Sequence, residues 1–132
     1  MYKIPVCTAI LFNHESPLRP KKFIFRKIID GLNKILKNKN HKLHVGNIRV
    51  RRDWGWAPDF MVACHKILNS KKIEDYIVAT GKTVSLKSII NEYFKNHNLR
   101  WNKFTVIDKN FFRNFEIKEN YANINKIKKH IN

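Results

Sequence analysis

The sequence predicts an α/β fold with parallel strands, and three observations carry that prediction. Two apolar runs, Cys7–Phe12 and the "DYIVAT" segment at 75–80, have the near-continuous hydrophobic character of strands covered on both faces. Between and after them come stretches whose apolar residues recur every three or four positions, the period of amphipathic helices. Strands alternating with helices, without an internal repeat or a flexible linker, define the α/β class.

Each element has its own reason. Residues 4–12 read as a buried strand. From Lys21 to Lys37 the stripe Phe25, Ile28, Ile29, Leu32, Ile35 and Leu36 predicts a helix, ended by the polar "NKNHK". "KLHVGNIRV" is short, alternating and centred on Gly46, which predicts a brief strand and a turn. A second helix follows Pro58, tolerated in a first turn because its missing N–H would have no helical partner. Its stripe is Phe60, Met61, Cys64, Ile67 and Leu68. After "DYIVAT" and Gly81, Ser85 is a good N-cap for a third helix with Leu86, Ile89, Ile90, Tyr93 and Phe94 inward. Farther on, "FTVI" predicts a strand, "DKNFFRNFEI" a loop, and 123–131 a short basic helix. Only two buried strands are legible, too few for a stable parallel core. The expectation is therefore a single partial domain over 1–132.

Composition narrows the function. At 132 residues with 43% hydrophobic side chains, the chain is one ordinary domain's worth. No run of about 18 apolar residues predicts a membrane span, and the N-terminus lacks the marks of a signal peptide. Cys7 and Cys64, without metal or redox spacing, suit a reducing cytoplasm. The formal charge of +17 raises the question of a polyanion partner. Lys, Ile and Asn, however, fill 53 of the 132 positions, and the lysines are scattered through the chain. A nucleic-acid surface would cluster Arg with stacking aromatics, so nucleic acid is disfavoured.

Two motifs bear on chemistry. "ATGKT", 79–83, would be a phosphate-binding loop if a glycine stood five residues before Gly81, but that position is Tyr76. A plain strand-to-helix turn is expected instead. The six histidines show no ligand spacing, so no metal site is expected. In "RVRRDWGWAPDF", Arg52 has the planar fork that grips phosphate oxygens. Composition alone favours a structural Arg52–Asp53 pair at the helix entrance beside packed Trp54 and Trp56.

Taken in order, "ILFNHESP", "FRKI", "VGN", "RDWG", "ATG" and "FRNFEI" resemble the GDP-mannose 4,6-dehydratase family of extended short-chain dehydrogenase/reductases, from about Tyr2 to Lys129. The resemblance implies the C-terminal substrate-binding part of an extended Rossmann-type fold, truncated at the N-terminus, with the last Rossmann strands followed by a substrate-binding region. It implies NADP contacts for His14 and Arg19. It also implies substrate contacts for Asn13, Lys27, Asn47, Arg52, Arg113 and Glu116, with lysine and arginine on the diphosphate and Glu116 on ribose hydroxyls. Asn13 and His14 are expected to leave a strand at its carboxyl end, where open α/β sheets bind ligands. The implied partners are GDP-mannose or a related sugar nucleotide, a separate N-terminal Rossmann half, and further copies of the chain.

The family's reaction oxidises the sugar C4, eliminates water across C5–C6 and returns the hydride to C6. Its catalytic Tyr, Lys, Glu and cofactor loop match positions upstream of Met1, so no catalytic residue is assigned here and the chain alone is expected to be inactive. A related nucleotide-sugar reductase or epimerase is the alternative. Leu18, Pro20, Asn114 and Ala122–Asn123 depart from the family pattern; the first two fall in the cofactor loop.

Overall fold

The computed structural model describes residues 4–131, so Tyr2, where the resemblance starts, lies outside the described residues. Strands β1 (Ala9–Leu11) and β2 (Asn13–Glu15) precede helix α1 (Ile24–Lys37). β3 (Leu43–Val45), β4 (Arg51–Arg52) and β5 (Trp54–Trp56) lead into α2 (Ala57–Leu68). β6 (Tyr76–Val78) and β7 (Val84–Ser85) precede α3 (Leu86–Lys95) and the one-turn α4 (Trp101–Phe104). β8 (Thr105–Ile107), a 3-10 turn η1 (Lys109–Phe111), β9 (Glu119–Asn120) and α5 (Asn125–His130) follow. These elements form two compact units. The first runs to Ser16, takes up Asp53–Thr83 and resumes at Asn120, and the second holds Pro17–Arg52 and Val84–Glu119.

In the first unit β1 pairs parallel with β6, Ala9 opposite Tyr76, and β2 pairs parallel with β5, Asn13 opposite Trp54. The core is Phe60 and Ile67 from α2 with Tyr76 and Val78 from β6, joined by Cys7, Ala9, Phe12, Ala63, Ile127 and Ile131. Burying side chains of this size stabilises by roughly 1.5–3 kcal/mol each. Helix α5 is fastened to the same core: the Tyr76 hydroxyl is 3.2 Å from His130 Nδ1, and Lys126 Nζ donates to the Asp75 carbonyl and pairs with Glu74 at 2.9 Å.

In the second unit β3 pairs parallel with β8, Leu43 opposite Thr105. α1 buries Ile28, Leu32 and Ile35, while Lys34 and Lys37 occupy its last turn, where positive charge opposes the helix dipole favourably. α3 buries Leu86, Ile89, Ile90 and Phe94, and the Ser85 hydroxyl accepts from Ser88 N–H as the expected N-cap. β4 lies between β7, its antiparallel partner, and β9.

The parallel α/β reading holds, and four local expectations need correction. Residues 4–12 do not form one buried strand: only Ala9–Leu11 is strand, and Ile4, Val6 and Ile10 are 73%, 75% and 50% exposed. The reason is one-sided cover, since Cys7 and Ala9 face the core while Val6 and Ile10 alternate outward. Asn13 and His14 do not simply leave a strand; they begin β2. The first helix starts at Ile24 rather than Lys21, just past Pro20. On α2, Met61 and Leu68 are 51% and 76% exposed, leaving Phe60 and Ile67 as the buried stripe.

Candidate nucleotide-sugar site

The "RDWG" segment divides its side chains between two jobs. Asp53 is 1% exposed, and its carboxylate accepts from Thr80 N–H at 2.9 Å, Thr80 Oγ1–H at 2.6 Å and Gly81 N–H at 2.8 Å. Gly81 has φ of +73°, a conformation glycine adopts without steric cost. The turn that resembled a phosphate loop therefore spends its N–H groups on a carboxylate of the same unit. Asp53 does not pair with Arg52, as composition had suggested; the neighbouring side chains of an extended segment point to opposite faces. Nor are both tryptophans packed, because Trp56 is 49% exposed.

Arg52 instead faces Glu116. Its Nη1 donates to the Arg51 carbonyl at 2.8 Å, and Nη2 stands 3.9 Å from Glu116 Oε1, with the two side chains 15% and 19% exposed. That separation is too long for a hydrogen bond. The Glu116 carboxylate accepts no hydrogen bond among the described residues. Arg113, nearby in sequence, is exposed and makes no hydrogen bond or ion pair among the described residues. Arg51 is committed elsewhere, to Glu119 at 2.9 Å.

A second group forms in the same unit around η1. Lys27, on α1, holds its ammonium 3.6 Å from the centroid of the Phe111 ring. Burial pushes the Lys27 amine below its ordinary value, and the Asp108 carboxylate offsets part of that effect. Gly46 packs so closely on η1 that a Cβ there would meet the Phe111 carbonyl oxygen at 2.6 Å. Asn47 follows directly, its Oδ1 accepting from Arg49 N–H at 3.0 Å, which leaves the amide NH2 as its remaining side-chain donor.

His14 lies in the first unit, its Nδ1–H donating to the Phe12 carbonyl at 2.8 Å and its ring 5.1 Å from that of Phe60. Asn13 is exposed beside it on β2. Arg19, in the second unit, is half-buried with its guanidinium 3.8 Å above the Phe23 ring. The structure thus brings Arg52 to Glu116, and Lys27 to the Asn47 turn. A cavity of about 320 Å³ in the second unit, lined by Phe25, Ile89, Glu92, Tyr93, Asn96 and His97, contains none of the predicted residues. Reading the sequence missed Phe111, which lay inside an expected loop; its only signal was an aromatic pair beside "FRNFEI". Among the described residues there is no cluster suited to a metal ion, and no helix long and apolar enough to cross a membrane.

Parallel strand pairs alternating with helices, together with these motif residues, define the nucleotide-sugar class of extended short-chain dehydrogenase/reductases. The fold matches that of dTDP-glucose 4,6-dehydratase from Bacillus anthracis at a TM-score of 0.79 and 16% identity, over 98% of this chain and 39% of that one. UDP-N-acetylglucosamine 4-epimerase from Methanobrevibacter ruminantium gives 0.78 and 17%, over 97% and 40%. Within that class the chain belongs to the GDP-mannose 4,6 dehydratase family, whose profile matches residues 1–132. It is 40% identical over 116 residues to GDP-mannose 4,6 dehydratase 1 of Arabidopsis thaliana, covering 88% of this chain and 32% of that protein. With the human GDP-mannose 4,6 dehydratase the identity is 36% over 93 residues, covering 70% and 25%. The chain spans about a third or less of the length of these relatives.

Proposed function

We propose that this chain supplies the sugar-nucleotide-binding part of a GDP-mannose 4,6-dehydratase, and that its own residues bind and orient GDP-mannose. The observation that carries the reading is the Arg52–Glu116 pair: two side chains from distant segments, 3.9 Å apart, with the carboxylate accepting no hydrogen bond among the described residues. A shielded guanidinium beside a carboxylate that accepts no hydrogen bond among the described residues suits a ligand that offers phosphate oxygens to one and hydroxyl donors to the other. A nucleoside diphosphate is such a ligand. In this reading Arg52, Lys27 and Arg113 take the diphosphate, Glu116 the ribose diol, and Asn47 donates to the nucleotide. Asn13 serves the sugar.

NADP is the proposed cofactor. The dehydratase from Bacillus anthracis was solved with NAD, and the RMD protein from Pseudomonas aeruginosa, similar in fold, with NADPH. Two side chains, each within its own unit, have chemistry suited to such a group. His14, with Nδ1–H given to a carbonyl, presents Nε2 as an acceptor for a hydroxyl or amide. Arg19, stacked on Phe23, presents a fixed planar cation suited to a phosphate. When bound, NADP supplies the hydride exchange of the reaction. The residues of this chain hold, orient and neutralise charge, and none of them is assigned to proton transfer. An N-terminal Rossmann half and a homo-oligomeric state belong to the same proposal.

Calorimetry of the chain with GDP, UDP and a short oligonucleotide tests the reading. GDP should bind more tightly than UDP, and Arg52→Lys, which keeps the charge but loses the fork, should weaken GDP about ten- to a hundredfold. Equal binding of all three ligands, unaffected by Arg52→Lys and abolished by salt, would mean nonspecific polyanion binding and would overturn the proposal.

A further inference from the structure

A lysine head on four flexible carbons has no preferred direction unless something holds it. In the second unit, that something is an aromatic ring. The Lys27 ammonium lies 3.6 Å from the Phe111 centroid, well inside the ~6 Å reach of a cation–π contact. The backbone of Phe111 is itself fixed. Its N–H donates to the Asp108 carbonyl at 3.1 Å, Asp108 N–H donates to the Val45 carbonyl at 2.8 Å, and its carbonyl packs on Gly46 where no Cβ could stand. The Asp108 carboxylate caps the η1 turn through Asn110 N–H at 2.9 Å. Phe111 is 51% exposed and Lys27 only partly buried, so the ammonium's donors that do not face the ring can reach a ligand.

We propose that Phe111 is a positioning residue for Lys27. Its ring seats the ammonium, and its backbone, docked on Gly46, sets that seat beside Asn47, so that the lysine meets one phosphate group of a nucleoside diphosphate. This inference rests on the sugar-nucleotide reading for its ligand, and on the geometry alone for the seating. A purely packing role for Phe111 makes different predictions, because an aliphatic side chain of similar size would serve packing equally well.

Two measurements on the full chain separate these roles. In NMR with side-chain-labelled lysine, the ring current of Phe111 should move the Lys27 Cε protons upfield. The shift should vanish in Phe111→Leu and persist in Phe111→Tyr. In calorimetry, Phe111→Leu should weaken GDP roughly three- to tenfold and Phe111→Tyr hardly at all. In a Lys27→Met background, Phe111→Leu should add nothing further. No upfield Lys27 signal in the unmodified chain overturns the seating, whether or not the variants fold. An equal loss from Phe111→Leu with and without Lys27 also overturns it, since Phe111 would then act on its own. Failure of the unmodified chain to bind GDP sinks the sugar-nucleotide reading instead, and the Lys27 signal still decides the seating.

Discussion

Asp53 and Lys27 are two ionisable side chains held by different surroundings. Asp53 is buried among three donors, so its charge is compensated where it lies. Asp53→Ala would leave the Thr80 and Gly81 N–H groups buried without an acceptor, and should cost about 2–4 kcal/mol, read as a lower urea midpoint. A loss below about 0.5 kcal/mol, the scale of an ordinary surface substitution, would show that water replaces the carboxylate. Lys27 bears on the pH dependence of stability. Its folded-state pKa lies below the ordinary lysine value because burial disfavours the ammonium. The folded chain therefore binds this proton less tightly than the unfolded chain, and stability rises with pH from the folded pKa up to the unfolded one. At neutral pH the charge is a cost to the fold. Lys27→Met should thus unfold at higher urea than the parent chain at neutral pH, with the gap narrowing at alkaline pH, while losing affinity for GDP. A less stable Lys27→Met at neutral pH would contradict the burial argument.

At the scale of elements, what could be read from the sequence was what each segment specifies locally. The Ser85 cap joins a side chain to an N–H three residues on, and the α1 and α3 stripes repeat within one helix, so periodicity and capping chemistry suffice. The pairing of β2 with β5 is another matter. Asn-His-Glu and Trp-Gly-Trp have neither the apolar alternation nor the length of a strand, and each becomes one only against the other. The same limit hid the Asp53 contact, whose partners at Thr80 and Gly81 lie on the far side of α2. The candidate site was legible in part. The motifs around Asn13, Lys27 and Arg52 carry family identity, but the pairing of Arg52 with Glu116 and the ring beneath Lys27 arise only from folding. Three-residue strands with one or two neighbours also explain the exposed Val6 and Ile10, since a continuous apolar run says nothing about how many layers cover it.

For the molecule as a whole, net charge and exposed apolar surface oppose each other. Ile4, Val6, Ile10 and Leu11 form an exposed apolar run on and before β1, whose sheet among the described residues contains only β6. An edge strand of this kind invites pairing with another chain. A net charge of +17 repels a second copy at low ionic strength. The 132-residue chain should therefore stay dispersed in dilute salt and associate as salt screens the repulsion. Ile10→Lys should suppress that association without weakening GDP binding, because Ile10 points away from the core and is not among the proposed ligand groups. Light scattering across a salt series checks this. Polyanion binding responds to salt with the opposite sign, weakening as counterions compete, so the same series separates the two consequences of the charge. A chain that remains monomeric at high salt, with Ile10→Lys indistinguishable from the parent, would mean that the apolar run on β1 is no association surface.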